Sequence, residues 1–292
     1  MLHLYALLGV LSISFSAILV RLADVSPVTA AFFRAVYAIP VLVALRAWNR
    51  AADRRSPAER ALALASGVVL ALDLALWHES IALLGAGLGT VIANVQVVFV
   101  AIIAWLLYGE RPTARTLTIV AAVLAGVVLT SGLSQAGAYG ANPTLGAGIG
   151  ILSGASYAAF LLLFRSANRS LAPTAAPLLD STLGAAAGAL LCAVFDPGFS
   201  LVPAWPAHGW LALLAIVSQV VGWLLIATAL PRLPAIETSV LLLGQPVLAI
   251  IWGVLLFAEH QSPLQWAGSA LVLAGVAAMG LTRPSAAPSG RR

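Results

Sequence analysis

Few polar side chains fall inside the apolar stretches of this chain, so each can be weighed for the chemistry it offers. Asp73, Trp77 and Ser80 stand at i, i+4 and i+7, and His78 and Glu79 lie among them. That spacing puts Asp73, Trp77 and Ser80 on one face of a helix. Such a stripe fits the wall of a cavity: Trp77 would stack on an apolar or aromatic part of a ligand, and Asp73 would hold an ammonium group or a proton. The plainer use is that Asp73 bonds a neighbouring helix while His78 and Glu79 lie at headgroup depth. Arg34 sits well inside another apolar stretch. Its guanidinium can clamp a carboxylate, or it can pair with Asp180 or Glu79 and hold helices together. Thr90, Asn94 and Val97 share a face with Gln96 beside it, and amides in lipid often join helices. Asn94 is the preferred binder there. Ser153, Tyr157 and Phe160 or Phe164 line one helical face, Ser12 and Ser16 another, and Gln219 and Trp223 pair at i, i+4. Each of these faces can line a pathway or simply pack. Glu110 and Glu259 stand at the ends of apolar stretches, where Glu110 is expected to pair with Arg111 or Arg115.

These residues need elements to carry them, and composition says which. Of 292 residues, 61% are apolar and 9% are charged, and mean hydropathy is +1.02. A soluble domain is about 45–50% apolar and about 25% charged. Lipid is therefore the solvent for much of the surface. Soluble enzymes, nucleic-acid binders and disulfide scaffolds are excluded. The four histidines, His3, His78, His208 and His260, are scattered. With no metal-ligand spacing and no nucleotide-binding motif, neither an embedded enzyme nor an ATP-driven pump is expected, and no cofactor. The lone cysteine, Cys192, is expected to be a buried thiol.

A membrane-spanning helix needs about 20 mostly apolar residues. Ten segments qualify: 4–22, 28–48, 61–81, 88–108, 115–133, 145–164, 176–195, 208–229, 236–257 and 264–282. Proline-marked turns separate them, among them Ser26-Pro27, Ala172-Pro173 and Ser262-Pro263. The first segment lacks a basic leader and is expected to be retained as a span rather than removed as a signal peptide. All 15 basic residues are Arg, and 13 fall on one side if the N-terminus is inside. By the positive-inside rule both termini are expected to be cytoplasmic.

A shift of 149 residues aligns two stretches. Asn94-Val95-Gln96-Val97 lies over Leu243-Gly244-Gln245-Pro246. Tyr108-Gly109-Glu110 lies over Phe257-Ala258-Glu259, and Ala125-Gly126-Val127 over Ala274-Gly275-Val276. The polar residues fall in register, which chance apolar similarity would not arrange. Each half then has five spans, and an odd number sends the halves into the membrane in opposite directions. The expected architecture is an all-α integral membrane protein of ten transmembrane helices in two inverted five-helix repeats, 1–135 and 144–282. A disordered tail is expected over 283–292. Inverted repeats of this kind are a construction of secondary transporters, with substrate near the midplane between them.

The segment from Gln96 to Gly126, with Leu107-Tyr108-Gly109-Glu110-Arg111-Pro112, resembles the EamA domain of the drug/metabolite transporter superfamily. Gln245-Pro246-Val247 to Ala274-Gly275 resembles it again, and Arg34 in Phe32-Phe33-Arg34-Ala35 matches the family's second-helix Arg. The first copy departs at Val97, where the family has Pro, and in the first helix. Because the family carries this Arg whatever the substrate, the resemblance favours a helix-holding role for Arg34. It implies a secondary transporter that exports amino acids, aromatic ones among them, or related small metabolites. A drug or nucleotide-sugar carrier of the same superfamily is the alternative. The expected substrate-binding residues are Trp77, His78, Asp73, Ser80, Asn94, Tyr157, Trp223 and Arg34. The expected partners are a small-molecule substrate and the lipid bilayer of the plasma (inner) membrane, with no nucleic acid and a monomeric chain.

Overall fold

The computed structural model describes residues 1–49, 53–84, 86–131, 142–170, 174–258 and 260–281, and the regular elements within them are helices. In the first half these are α1 (Leu2–Ser14), α2 (Ser16–Ala23), α3 (Pro27–Trp48), α4 (Pro57–Leu84), α5 (Ala86–Ala93), α6 (Gln96–Tyr108) and α7 (Ala114–Thr130). In the second they are α8 (Pro143–Ala167), α9 (Ala175–Cys192), α10 (Ala207–Leu214), α11 (Trp223–Ala229), α12 (Ala235–Leu242), α13 (Gly244–Phe257) and α14 (Pro263–Gly280). A π-helical stretch, Ala215–Gly222, joins α10 to α11.

Eight helical stretches are long and apolar enough to cross a membrane by length and composition. The two remaining segments of the ten, α7 and α14, are apolar but shorter. At 17 residues, α7 sits at the lower edge of spanning length. Rows of exposed Leu, Ile and Val on the helix outsides fit a lipid solvent.

The helix starts follow local chemistry. Proline opens α3, α4, α8 and α14, where its missing N–H costs nothing. Ser56 with Glu59, and Ser262 with Gln265, form reciprocal capping boxes. Turns at Ser26-Pro27 and Ser262-Pro263 lie as expected; Ala172-Pro173 and the tail 283–292 lie outside the described residues, as does Glu259.

Two helices break at matching places. The break between α12 and α13 falls at Leu243, and its cause is visible: the ring of Pro246 has no N–H to give and crowds the carbonyl of Leu242, four residues earlier. The break between α5 and α6 falls at Asn94-Val95, 149 residues before the other, with Val97 in place of proline. There the Asn94 side-chain amide donates to the Thr90 carbonyl at 2.8 Å, in competition with the helical ladder. The helices that follow both end on a left-handed residue, Gly109 at φ 69° and Ala258 at φ 53°, again in register.

Packing joins the halves throughout. The α4 helix lies against α8 and α9, while the π stretch and its flanking helices lie against α1, α2 and α3. On α9, the small pair Gly184 and Gly188 admits α4: an added methyl would strike the backbone of Leu64 or Val68. The α7 helix packs on α14 reciprocally. Gly126 faces Gly268 and Val272, and Gly275 faces Ile119 and Val123. The largest apolar core gathers Leu42 of α3, Phe160 and Phe164 of α8, and Trp223 and Ile226 of α11. A second core surrounds α7, α12 and α14.

Candidate functional site

Polar groups meet at mid-depth where α3, α4, α8, α9 and the π stretch converge. On α4, Asp73 is buried and accepts a 2.7 Å hydrogen bond from the Ser153 hydroxyl of α8. Seven residues on, Ser80 donates to the Gly146 carbonyl of α8 at 2.8 Å. The Asp73–Ser80 face of α4 therefore looks at α8. Trp77, on the same face, is half-buried and its ring meets that of His78 edge-on at 4.8 Å. His78 spends its Nδ1 on the Leu74 carbonyl of its own helix at 2.7 Å.

On α3, the Arg34 Nε donates to Gln219 Oε1 at 2.8 Å, and its Nη1 reaches the Ser16 hydroxyl at 3.3 Å. Gln219 in turn donates to the Thr182 hydroxyl of α9 at 3.1 Å. The π stretch supplies Gln219, and π turns inside α-helices frequently mark functional positions. Arg34 and Gln219 line a cavity of about 10 Å³ with Ala31, Ala35, Leu74 and Ala185, room for about one water. Tyr157, one helical turn from Ser153 on α8, is half-buried and lies within electrostatic reach of both Arg34 and Asp73.

Arg34 does not pair with Asp180 or Glu79, the partners expected for it. Asp180 is buried and held by Arg55 at 2.7 Å, with Arg60 at 3.7 Å, because the turn before α4 folds back on α9. Glu79 is exposed. Among the described residues neither Arg34 nor Asp73 has an oppositely charged group within ion-pair distance. Glu110 likewise passes over Arg111 and Arg115 and takes Arg165 of α8 at 2.6 Å, since the left-handed cap at Gly109 turns the chain toward α8. Cys192 is only half-buried, its thiol 3.9 Å from the Ala71 carbonyl.

The remaining expected residues lie apart from this cluster or face elsewhere. Asn94 gives its amide to its own helix. Trp223 is 3% exposed and packs edge-on against Phe160 and Phe164, at 5.0 and 6.1 Å; it sits in the largest apolar core. Ser153, Ser16 and Gln219, read from the sequence only as lining residues, turn out to hold the two charges. Thr182 had no signal beyond its nearness to Asp180. Trp252, also unsignalled, stacks on Phe15 at 4.5 Å and donates to Ser14 at 2.8 Å.

Comparison with known proteins adds to this geometry. The model of the EamA-like transporter family matches residues 1–132 and again 144–281. An uncharacterized transporter of Synechocystis is 22% identical over 278 residues, covering 94% of this chain and 82% of its own. A crystal structure of a protein 19% identical to this chain superposes with a TM-score of 0.80, covering 94% of this chain and 95% of that one. At that identity the likeness is one of fold.

Proposed function

The chain belongs to the EamA-like transporter family and is a multi-pass membrane transporter, and from that premise we propose that it exports amino acids by alternating access between two inverted halves. One observation carries the substrate class. Arg34 and Asp73 are opposite charges at mid-depth, held by neutral groups and not by each other. A charge at that depth costs about 2.5–3.5 kcal/mol on insertion scales. Two such groups on adjoining walls suit a ligand with an anion and a cation a few bonds apart. The Arg34 fork takes the α-carboxylate, with Gln219 orienting it; Asp73 takes the ammonium, with Ser153 orienting it. Tyr157 lies within electrostatic reach of both, and the alanines of the cavity leave space for the side chain. A cavity of about 10 Å³ must widen before any amino acid enters, as a closed stage of a transport cycle requires.

The matched helix breaks, the matched left-handed caps and the reciprocal α7–α14 seam support two repeats related by a two-fold axis. A two-fold contact has this form, i to j and j to i. Seventeen-residue α7 and its partner α14 then complete ten spans, with the arginine-rich end in the cytoplasm of a bacterial-type inner membrane. A nucleotide-sugar carrier would want several fixed cations at mid-depth, and Arg34 stands there without another beside it among the described residues.

The test is counterflow in proteoliposomes with an amino acid, the amine that lacks its carboxylate and the acid that lacks its amine, each with and without a pH gradient. The amino acid alone should exchange. Arg34→Gln should abolish its movement and Asp73→Asn should do the same, whereas Trp77→Ala should weaken it. Gradient dependence that disappears in Asp73→Asn would assign Asp73 a proton as well. If the amine moves as fast as the amino acid, the carboxylate clamp is wrong and a drug carrier becomes the better reading.

A further inference from the structure

One end of the bundle is tied by charge, and its ties run between the halves. Glu110, just past α6, pairs with Arg165 of α8. The other Glu110 oxygen accepts from the Ala235 N–H at the start of α12, and Arg165 also donates to the Leu233 carbonyl. Tyr108 lies under the guanidinium groups of Arg165 and Arg169, at 4.9 and 4.7 Å. His3 of α1 meets Glu237 of α12 at 3.3 Å. Arg55, before α4, meets Asp180 of α9. Each of these ion pairs has one member before residue 131 and one after residue 142.

The opposite end carries related contacts. Arg21 of α2 lies over the Phe257 ring at 4.1 Å, and Phe257 is the repeat mate of Tyr108. The local sequence Arg21-Leu22-Ala23-Asp24 also echoes Arg165-Ser166-Ala167-Asn168. Phe15, at the junction of α1 and α2, stacks on Trp252 of α13 nearer the middle of the bundle. The cavity between the two ends has almost no volume.

We propose that these are the two gates of the transporter: an inner gate closed by Glu110–Arg165, Arg55–Asp180 and His3–Glu237, and an outer gate closed by Arg21–Phe257 and Phe15–Trp252. Both are shut in this structure. Neither half can swing from the other at the arginine-rich end until its ion pairs part, and the backbone bonds to Leu233 and Ala235 make α12 part of the same latch. Packed interfaces of this kind have discrete arrangements and do not deform continuously. The inference rests on the alternating access proposed above but not on the identity of the substrate.

A chemical lock tests it. In a Cys192→Ala background, Glu110→Cys with Arg165→Cys would be bridged by a reducible crosslinker about as long as the native pair. Counterflow should be lost on crosslinking and return on reduction; undiminished transport by the fully bridged protein would overturn the gate. A second measurement needs no transport. Spin labels on the exposed positions Arg54→Cys and Arg232→Cys report the separation of the halves at this end. Glu110→Gln with Asp180→Asn should add a longer distance to the distribution. An unchanged single distance would mean that the pairs are fixed scaffold, and the proposal fails. Should no amino acid move in any variant while the longer distance appears, the amino-acid reading fails and the gate stands.

Discussion

Asp180 and Arg55 form a buried pair whose two members should respond unequally to removal. The Arg55 side chain is fully buried and that of Asp180 is 7% exposed. Breaking a buried pair by deleting one partner costs about 3–5 kcal/mol when the other charge is left alone. Arg55→Met leaves Asp180 with Arg60 at 3.7 Å, and Arg60 is half exposed, so it compensates weakly. A loss of about 3–5 kcal/mol is expected. Asp180→Asn is different. Arg55 keeps Asp53, which it grips through Nε at 3.0 Å and Nη2 at 2.9 Å. The loss should then be that of one hydrogen bond to a charged group, about 1.5–3 kcal/mol. The double variant Arg55→Met/Asp180→Leu replaces the pair with apolar groups and should recover most of the damage of Arg55→Met, because exchanging a buried pair for packed apolar side chains is often neutral. The assay is reversible SDS-driven unfolding in mixed micelles, followed by the fluorescence of the eight tryptophans. Equal losses in the two single variants would refute the role given to Asp53. A double variant no better than Arg55→Met would show that the two charges are not coupled.

Trp223→Ala should cost about 3–5 kcal/mol, as removal of a large core aromatic does, and melting should show it. The substrate preference of the protein that remains folded should not move, because Trp223 packs against Phe160 and Phe164. Ala258→Gly should stabilise by about 1 kcal/mol, since a residue with a Cβ is strained in the left-handed conformation that Ala258 adopts; a drop in melting temperature would refute this. Asp53 is held below the usual carboxylate range by its hydrogen bonds to Arg55. Its contribution to stability is complete above the ordinary value of 3.8 and disappears as pH falls through the lower folded value. Parent and Asp53→Asn should thus differ in stability at neutral pH and converge toward acid; a constant gap down to the acid limit would contradict the assignment.

Much of the scaffold was readable because it depends on one-dimensional signals. Apolar runs set the helices, and proline after serine set several of their starts. The register of Gln96 with Gln245 and of Gly109 with Ala258 aligned the two halves, but the breaks at Asn94 and Leu243 and the left-handed caps were not read from it, since both spans look continuous in hydropathy. Partners across the bundle were not readable. Nothing in sequence separation says that Arg55 should reach Asp180, or that Glu110 should prefer Arg165 to its neighbours Arg111 and Arg115; the turn at Gly109 decides that. Residue type also failed to tell a lining aromatic from a packed one. Trp223 and Trp77 look alike as letters, yet one is core and the other stands on the Asp73 face. The π stretch gave no warning at all, although it aims Gln219 at Arg34. Stripe reasoning did put Asp73 with Ser80, and Ser153 with Tyr157, on single helical faces, because helical spacing fixes a face even when the neighbour is unknown.

The seam between α7 and α14 has a consequence for how such a chain can be encoded. Gly126 and Gly275 each receive from the opposite helix what they offer to it, so the halves recognise each other through surface alone. The contacts of the seam lie within α7 and α14 themselves. Two polypeptides, one ending at Ser131 and one starting at Asn142, should therefore find each other in the membrane and copurify. In genetic language, the locus is divisible: a single long reading frame and a pair of short ones should specify the same machine.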